Sequence, residues 1–393
     1  MKRDLIIFTD NVEPEAINQI YNLIAQPPFY DKKIRIMPDV HYGTNCVVGF
    51  TAELGNKIIP NVLGVDLGCG MLTVLLGKNV FSLQKLDDYI KENIPHGSNF
   101  RKEVLCEKLI QSLYCYDELV DLDRLYGSLG TLGGGNHFIE VDEDEEGNRY
   151  LIIHSGSRNL GLQVAKIYQK KAIDSCKNSA QAERENKIAQ LKSQGKISAI
   201  PDAIAEINAK YAHKSKIPAD FCYLDGILME NYMHDLKICQ EFASLSRNKM
   251  AEEILKFLKI TPIESFETVH NFIADDNVIR KGAIPAHKGQ KVLIPMNMRD
   301  GCIIAVGKGN ADWNFSAPHG AGRLLKRSVV KDYYTVEEFA DEMKNVYTTT
   351  VNSGTLDESP MAYKPMQEIL NLITPTVEVI KIIKPIYNFK SGT

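Results

Sequence analysis

Residues 129–140 read LGTLGGGNHFIE, three consecutive glycines running into Asn136, His137 and an apolar segment. Glycines free the backbone for tight turns, and the segment HFIEV that follows alternates as a strand does. If the strand begins at Asn136, then Asn136 and Glu140 point to one side and His137 to the other. The stretch predicts a strand whose entry loop carries polar chemistry, with the N–H groups of Gly133, Gly134 and Gly135 open to a phosphate. No Gly-Lys-Ser or Gly-Lys-Thr follows, so it is no P-loop. A hairpin turn into a strand with one hydrogen-bonded histidine is the plainer alternative.

The same pattern recurs on both sides. KIIPNVLGV (57–65), MLTVLL (71–76) and YLIIHS (150–155) read as strands that end in glycine or polar loops. Between about Val164 and Leu258 the chain turns helical, rich in Ala, Lys, Glu and Gln, with Pro201 and Pro218 as breaks. Ile227, Tyr232, Leu236, Cys239, Phe242 and Leu245 recur there near the helical period, as on a packed face. Strand-and-loop character returns at 266–323. Residues 334–393 combine a helix, VEEFADEMKNVY, with a strand-like tail, TVEVIKIIKPIYNFKSGT. Without a regular strand-helix alternation, the expected class is α+β: mixed sheets in one composite domain over residues 1–393, with a helical insertion at 164–258.

The chain has 393 residues, is 44% hydrophobic and carries a net charge of −4, so a nucleic-acid partner would need a local basic patch. The apolar run Leu5–Phe8 is too short for a signal peptide, and no run approaches ~18 apolar residues. Eight scattered cysteines contain no Cys-x-x-Cys pair, which fits a reducing cytosol. A cytoplasmic protein with no membrane partner is expected.

Five motifs carry chemistry. In GVDLGCGM (64–71), Asp66 and Cys69 lie three apart in a glycine-rich loop between two apolar strands; they converge on a metal, or Cys69 is structural. His137 and, at a strand end, His154 in LIIHSGSRNLG add imidazoles, and Arg158 follows as either a phosphate clamp or a surface ion pair. His270 in ETVHNF reads by itself as a core histidine. With Asp66, Cys69, His137 and His154 it completes five ligands, enough for two ions if Cys69 bridges. His319, in FSAPHGAGRLLKRSVV, is uncrowded and precedes an apparent helix start, so it is either a nucleophile toward phosphorus or a helix cap.

Taken in order, MPDVHYG (37–43), GVDLGCGM, GTLGGGNHFIE, HSGSRNLG, HNF, RKGA (280–283), HGAGR (319–323) and a lysine near the C-terminus resemble the RtcB family of RNA ligases over nearly the whole chain. The resemblance implies an enzyme that uses GTP and two Mn²⁺ ions to join an RNA 3′-phosphate or 2′,3′-cyclic phosphate to a 5′-hydroxyl, in RNA repair or tRNA splicing. His319 would carry GMP. Asp66, Cys69 and His137 would hold one ion, and Cys69, His154 and His270 the other. The GTP site would comprise Asn136, His137, Phe138, Ile139, Glu140, His270, Asn271, Pro295, Met296, Asn297, Met298, Cys302, His319, Gly320, Ala321, Gly322 and Lys390. Arg158, Asp39 and His41 would meet RNA phosphate. An archease-type activator is a further partner to test for.

The chain departs from the family pattern at Ile279, where a His is usual, in the loop YGTNCVVGF after His41, in the tail NFKSGT, and in the nucleotide loop. Where the family usually has Pro-Gly-Ser-Met, this chain reads Pro295-Met296-Asn297-Met298, and Cys302 replaces a serine. The thiolate-imidazole donors would by softness favour zinc over Mn²⁺, so zinc is expected to bind and inhibit. A dinuclear metal-dependent phosphohydrolase is the competing enzyme class, since it also uses clustered Asp and His ligands.

Overall fold

The computed structural model describes residues 4–177, 179–212 and 214–391. Its largest sheet has seven strands in the order Lys291–Asn297, Gly301–Gly307, Val377–Lys390, Phe138–Glu143, Arg149–Ser155, Gly70–Gly77 and Glu264–Val269, all neighbours antiparallel. The two edge strands approach each other, with Leu293 N donating to Thr268 Oγ1 at 3.0 Å, so the sheet curls toward closure.

Period-two alternation gives the curled sheet two apolar faces. The outer face, including Leu72, Val74, Ile139, Val141, Leu151, Ile153 and Phe389, packs on Leu86 and Ile90 of helix Leu83–Asn93 and on Met250 and Ile254 of helix Gly226–Leu258. The inner face carries Met71, Phe138, Ile152, Leu293, Cys302, Ile304 and Ile383. One end of this inner channel opens where Phe138 and His154 pair across neighbouring strands.

A second sheet of five strands runs Leu5–Ile7, Ile34–His41, Val48–Glu53, Val278–Lys281 and Asn271–Ile273, with only the first pair parallel. It buries Ile34, Ile36, Phe50 and Ala52 in a core shared with helix Pro14–Ile24 and with helices Arg158–Lys177 and Gly226–Leu258. A two-stranded ladder, Ala283–Pro285 with Ser316–Pro318, ends at His319. The class is α+β, as expected. Among the described residues, no helix is long and apolar enough to cross a membrane.

Several local expectations differ from what the chain does. KIIPNVLGV is a strand only at Lys57–Ile58; Pro60, with its fixed φ and no N–H to lose, opens the short helix Pro60–Leu63. Asp66 and Cys69 consequently follow a helix rather than a strand. The central helices start at Arg158, ahead of Val164. On helix Gly226–Leu258, Tyr232, Leu236, Cys239 and Phe242 are buried, but Ile227 and Leu245 are 67% and 44% exposed, because the true stripe continues through Ser246, Arg247, Met250 and Ile254. The strand after the triple glycine begins at Phe138, not at Asn136. No helix starts at His319; residues 319–326 are irregular.

Candidate functional site

Five side chains from four segments meet at the open end of the curled sheet. The loop before strand Gly70–Gly77 supplies Asp66 and Cys69, the turn before Phe138 supplies His137, strand Arg149–Ser155 supplies His154, and His270 follows strand Glu264–Val269. Asp66, Cys69 and His137 form one three-donor group, and Cys69, His154 and His270 a second, each with its donor atoms within 4.8 Å of one another. Cys69 Sγ lies 3.5 Å from His137 Nε2 and 3.3 Å from His154 Nε2.

A backbone carbonyl fixes the tautomer of His154. Its Nδ1 is 3.1 Å from Asn136 O, so it carries the proton and Nε2 keeps its lone pair for the cluster, whereas Nδ1 of His137 lies between Leu132 O at 2.9 Å and Arg158 Nη1 at 3.1 Å, an acceptor and a donor. His137 Nε2 faces Asp66 Oδ2 at 2.9 Å, so either a proton or a bound cation joins the two. Nδ1 of His270 is buried with no hydrogen-bond partner. Burial, then neighbouring rings, pushes His154 and His270 well below the usual imidazole range, so they are neutral ligands. Burial and the Asp66 charge push the Cys69 thiol up, which makes its thiolate dependent on a bound cation. Burial also acts to raise Asp66, but His137, Cys69 and Arg158 together outweigh it and hold that carboxylate below its ordinary range. This sulfur, nitrogen and oxygen donor set fits metal binding.

His319 stands beside this cluster, its ring centroid 4.8 Å from that of His270. Its Nδ1 is 2.7 Å from Oδ2 of Asp39, a fully buried residue on strand Ile34–His41. The same oxygen accepts the N–H groups of His319 at 3.1 Å and Gly320 at 3.3 Å. Gly322 has φ +76°, and a Cβ there would sit 2.5 Å from the Asp39 carbonyl oxygen, so this close approach requires glycine. Because a carboxylate only accepts, Nδ1 holds the proton and Nε2 is left with the free lone pair. Two cavities meet at this ring. One, of about 130 Å³, is lined by Phe138, Glu140, Met296 and Lys390 among others. The other, of about 820 Å³, is a wider groove bordered by Lys281, Arg323, Lys326 and Arg327.

The sequence profile of the family described as tRNA-splicing ligase RtcB matches residues 19–118 and 116–391. The chain belongs to the RtcB family. It is similar to the RNA-splicing ligase RtcB of Escherichia coli, with 28% identity over 95% of this chain and 94% of that protein. It is also similar to the tRNA-splicing ligases RtcB of Aeropyrum pernix (26% identity, 94% and 91% covered) and Methanococcus maripaludis (25%, 97% and 92%).

Of the nucleotide-site residues expected from the RtcB resemblance, Asn136, Phe138, Glu140, His270, Pro295, Met296, Asn297, Met298, His319, Gly320, Ala321, Gly322 and Lys390 line the smaller cavity. Four do not. His137 lies in the metal-type cluster, and Ile139 points to the opposite face of its strand, into the outer core. Asn271 borders the wider groove, its Oδ1 accepting from Gly282 N, and Cys302 is buried beneath Glu140. His41 borders both cavities, and burial lowers its pKa to about 4.

Two expected phosphate contacts need correction. Asp39 is fully buried and committed to His319, so it is that ring's partner, and its charge would repel a phosphate. Arg158, at φ +56°, lays its guanidinium where a Gly133 side chain would be, with Nη1 3.1 Å from His137 Nδ1, and it lines neither cavity. The triple glycine therefore makes room for an arginine at Gly133, and only Gly135 borders the groove. Sequence reading missed Arg327, Glu358, Tyr363 and Asn388. Arg323 lay within the quoted HGAGR motif without a role. Glu358 had no signal, being one of two adjacent acids in a short turn that the fold brings to within 2.6 Å of Lys390 Nζ.

Proposed function

We propose that this chain is a GTP- and Mn²⁺-dependent RNA ligase that joins a 3′-phosphate or 2′,3′-cyclic phosphate end to a 5′-hydroxyl. The family membership and its relatives' names support RNA ligation. The observation that carries the chemistry is the His319–Asp39 pair, which leaves Nε2 as a nucleophile beside the metal-type cluster. Nε2 attacks the α-phosphorus of GTP, an N–P bond forms, and pyrophosphate leaves. Asp39 keeps the proton on Nδ1 and stabilises the charge that the ring acquires. A 2′,3′-cyclic end is first opened by water, which breaks the P–O2′ bond and leaves a 3′-phosphate; a 3′-phosphate oxygen of RNA then takes the GMP, releasing His319, and the 5′-hydroxyl attacks the activated phosphate and expels GMP.

Two divalent cations, held by Asp66, Cys69 and His137 and by Cys69, His154 and His270, would supply charge stabilisation at the phosphate oxygens. The groove residues Lys281, Arg323, Lys326 and Arg327 suit an RNA backbone better than Arg158 does. We read residues 1–393 as one ligase domain with a helical insertion. Its eight cysteines are free and buried, which suits a cytosolic location. A dinuclear phosphohydrolase would activate water between the ions and has no use for a ring aligned by a buried carboxylate.

Intact-mass measurement after incubation of the full chain with GTP and MnCl₂ tests this reading. One GMP is expected to add to the wild type and none to His319→Ala. An unchanged wild-type mass, or an adduct that survives in His319→Ala, overturns it.

A further inference from the structure

Beneath the smaller cavity lies a group of side chains that the ligation steps leave unused. Glu140 and Asp142 sit two apart on strand Phe138–Glu143, both on the inner face of the curled sheet, and Cys302 approaches from strand Gly301–Gly307. Their carboxylate oxygens and sulfur lie within 4.8 Å of one another, all three residues buried. Glu140 reaches the cavity wall. Asp142, deeper on the same face, has no exposed surface, and among the described residues no backbone N–H, amide or cation donates to either of its oxygens, the weakly donating Cys302 thiol being its nearest donor.

Among the described residues no cation pairs with Asp142, and the Cys302 thiol is the one neighbour that favours its charge. Asn388 Nδ2, on strand Val377–Lys390, donates to Glu140 Oε2 at 2.5 Å, and Cys302 Sγ is 3.8 Å from Glu140 Oε1. Lys390, the cation near Glu140, is held by Glu358 at 2.6 Å. On strand Arg149–Ser155, Tyr150 pairs with Asp142 in register but gives its hydroxyl to Asp144, and His154 belongs to the metal-type cluster. An ionised Asp142 would thus be an unpaired charge in an apolar channel, against a second carboxylate. Such a charge costs several kcal/mol, and buried carboxyl pairs meet that cost by keeping a proton.

We propose that Asp142 is kept as a neutral acid donating its O–H to Glu140, and that this proton sets Glu140 as the singly charged acceptor that reads the N1–H and N2–H edge of guanine. The base-reading half rests on the GTP reading above. Adenine offers an acceptor at N1 and would meet Glu140 acceptor to acceptor, so the pair discriminates between purines. Burial raises both acids, and the Glu140 charge pushes Asp142 further. Asp142 touches no nucleotide; it is a positioning residue. Loss of the proton at alkaline pH sets two charges against each other and releases Glu140 from its reading geometry.

The test titrates GTP and ATP into the full chain with MnCl₂, from neutral pH upward but short of the range in which guanine loses its own N1–H, for wild type, Asp142→Asn and Asp142→Leu. Asn supplies a donor that cannot be titrated. Wild-type affinity for GTP is expected to fall roughly tenfold or more as the proton leaves. Asp142→Asn should hold its affinity across the range, while Asp142→Leu loses the preference for GTP at every pH. The same alkaline loss in Asp142→Asn as in wild type, or an unchanged preference in Asp142→Leu, overturns the proposal.

An infrared difference spectrum between wild type and Asp142→Asn without nucleotide should show a carboxylic-acid C=O band at neutral pH, and its absence overturns the proposal directly. That band together with a wild type that binds no GTP would instead sink the GTP reading and its base-reading half, leaving the buried acid. A bound metal equivalent present in wild type and missing in Asp142→Asn would mean that the cluster holds a cation, again overturning the proposal.

Discussion

Cys69 belongs to both three-donor groups, so its sulfur has no substitute at either. Cys69→Ala is expected to lower metal content at both positions and abolish GMP transfer to the protein, read by elemental analysis and intact mass on one sample. Retention of full metal content would remove the bridge from the mechanism. Asp39 acts on a different quantity, the position of a proton on His319. Asp39→Asn keeps the shape but not the charge, and the rate of adduct formation is expected to fall roughly 10²- to 10⁴-fold, the usual contribution of a positioned acid-base group. Metal content should stay unchanged, because Asp39 lies outside both donor groups. A rate within threefold or so of wild type would show that the tautomer needs no carboxylate to fix it.

The C-terminal strand Val377–Lys390 shows how an element turns side chains toward the site. Its pairing with strand Phe138–Glu143 shifts between Pro385 and Tyr387. Before the shift Ile383 faces the inner channel; after it Tyr387 and Phe389 face the outer core, and Asn388 and Lys390 line the cavity. Proline cannot donate to a ladder, and a bulge there reverses the alternation. Lys390 in turn meets Glu358 from a distant turn, with Arg323 and Arg327 alongside. Burial pushes Glu358 up, but these three cations more than offset it and hold its pKa at about 2 against an ordinary 4.5. A lowered folded-state value gives stability that is complete above the ordinary pKa and lost as pH falls through the folded one. Denaturant melts should therefore weaken between pH 4.5 and about 2 in wild type. Glu358→Gln should cost about 3–5 kcal/mol at neutral pH and flatten that acid limb. A full acid limb in the variant would place the titration elsewhere.

At the scale of the whole molecule, the two sheets each bring part of the site: the curled sheet the cluster and smaller cavity, the five-stranded sheet Asp39. The sequence made the donors legible, since Asp66, Cys69, His137, His154 and His270 sit in loops whose glycines mark sharp turns, and it made the class legible through alternating strands around long helices. It hid whatever depends on distant segments meeting. Asp39 looked like a phosphate contact because nothing local says that His319, 280 positions on, would occupy its carboxylate. Arg158 looked like a clamp because its φ of +56° and its seat over Gly133 are tertiary facts. The basic groove was hidden for the same reason: with a net charge of −4, it exists only because Lys281, Arg323, Lys326 and Arg327 are gathered on one side of His319. Of these, Lys326 is half-exposed, paired only loosely with Glu15 at 3.5 Å, and reaches neither the cluster nor the smaller cavity. Neutralising it should leave GMP transfer to His319 intact while weakening RNA binding about equally for all sequences. Each phosphate contact contributes about one to the slope of log affinity against log salt, so Lys326→Ala should lower that slope by about one. An unaltered slope and affinity would move the RNA path off this groove, whatever the fate of the guanylate.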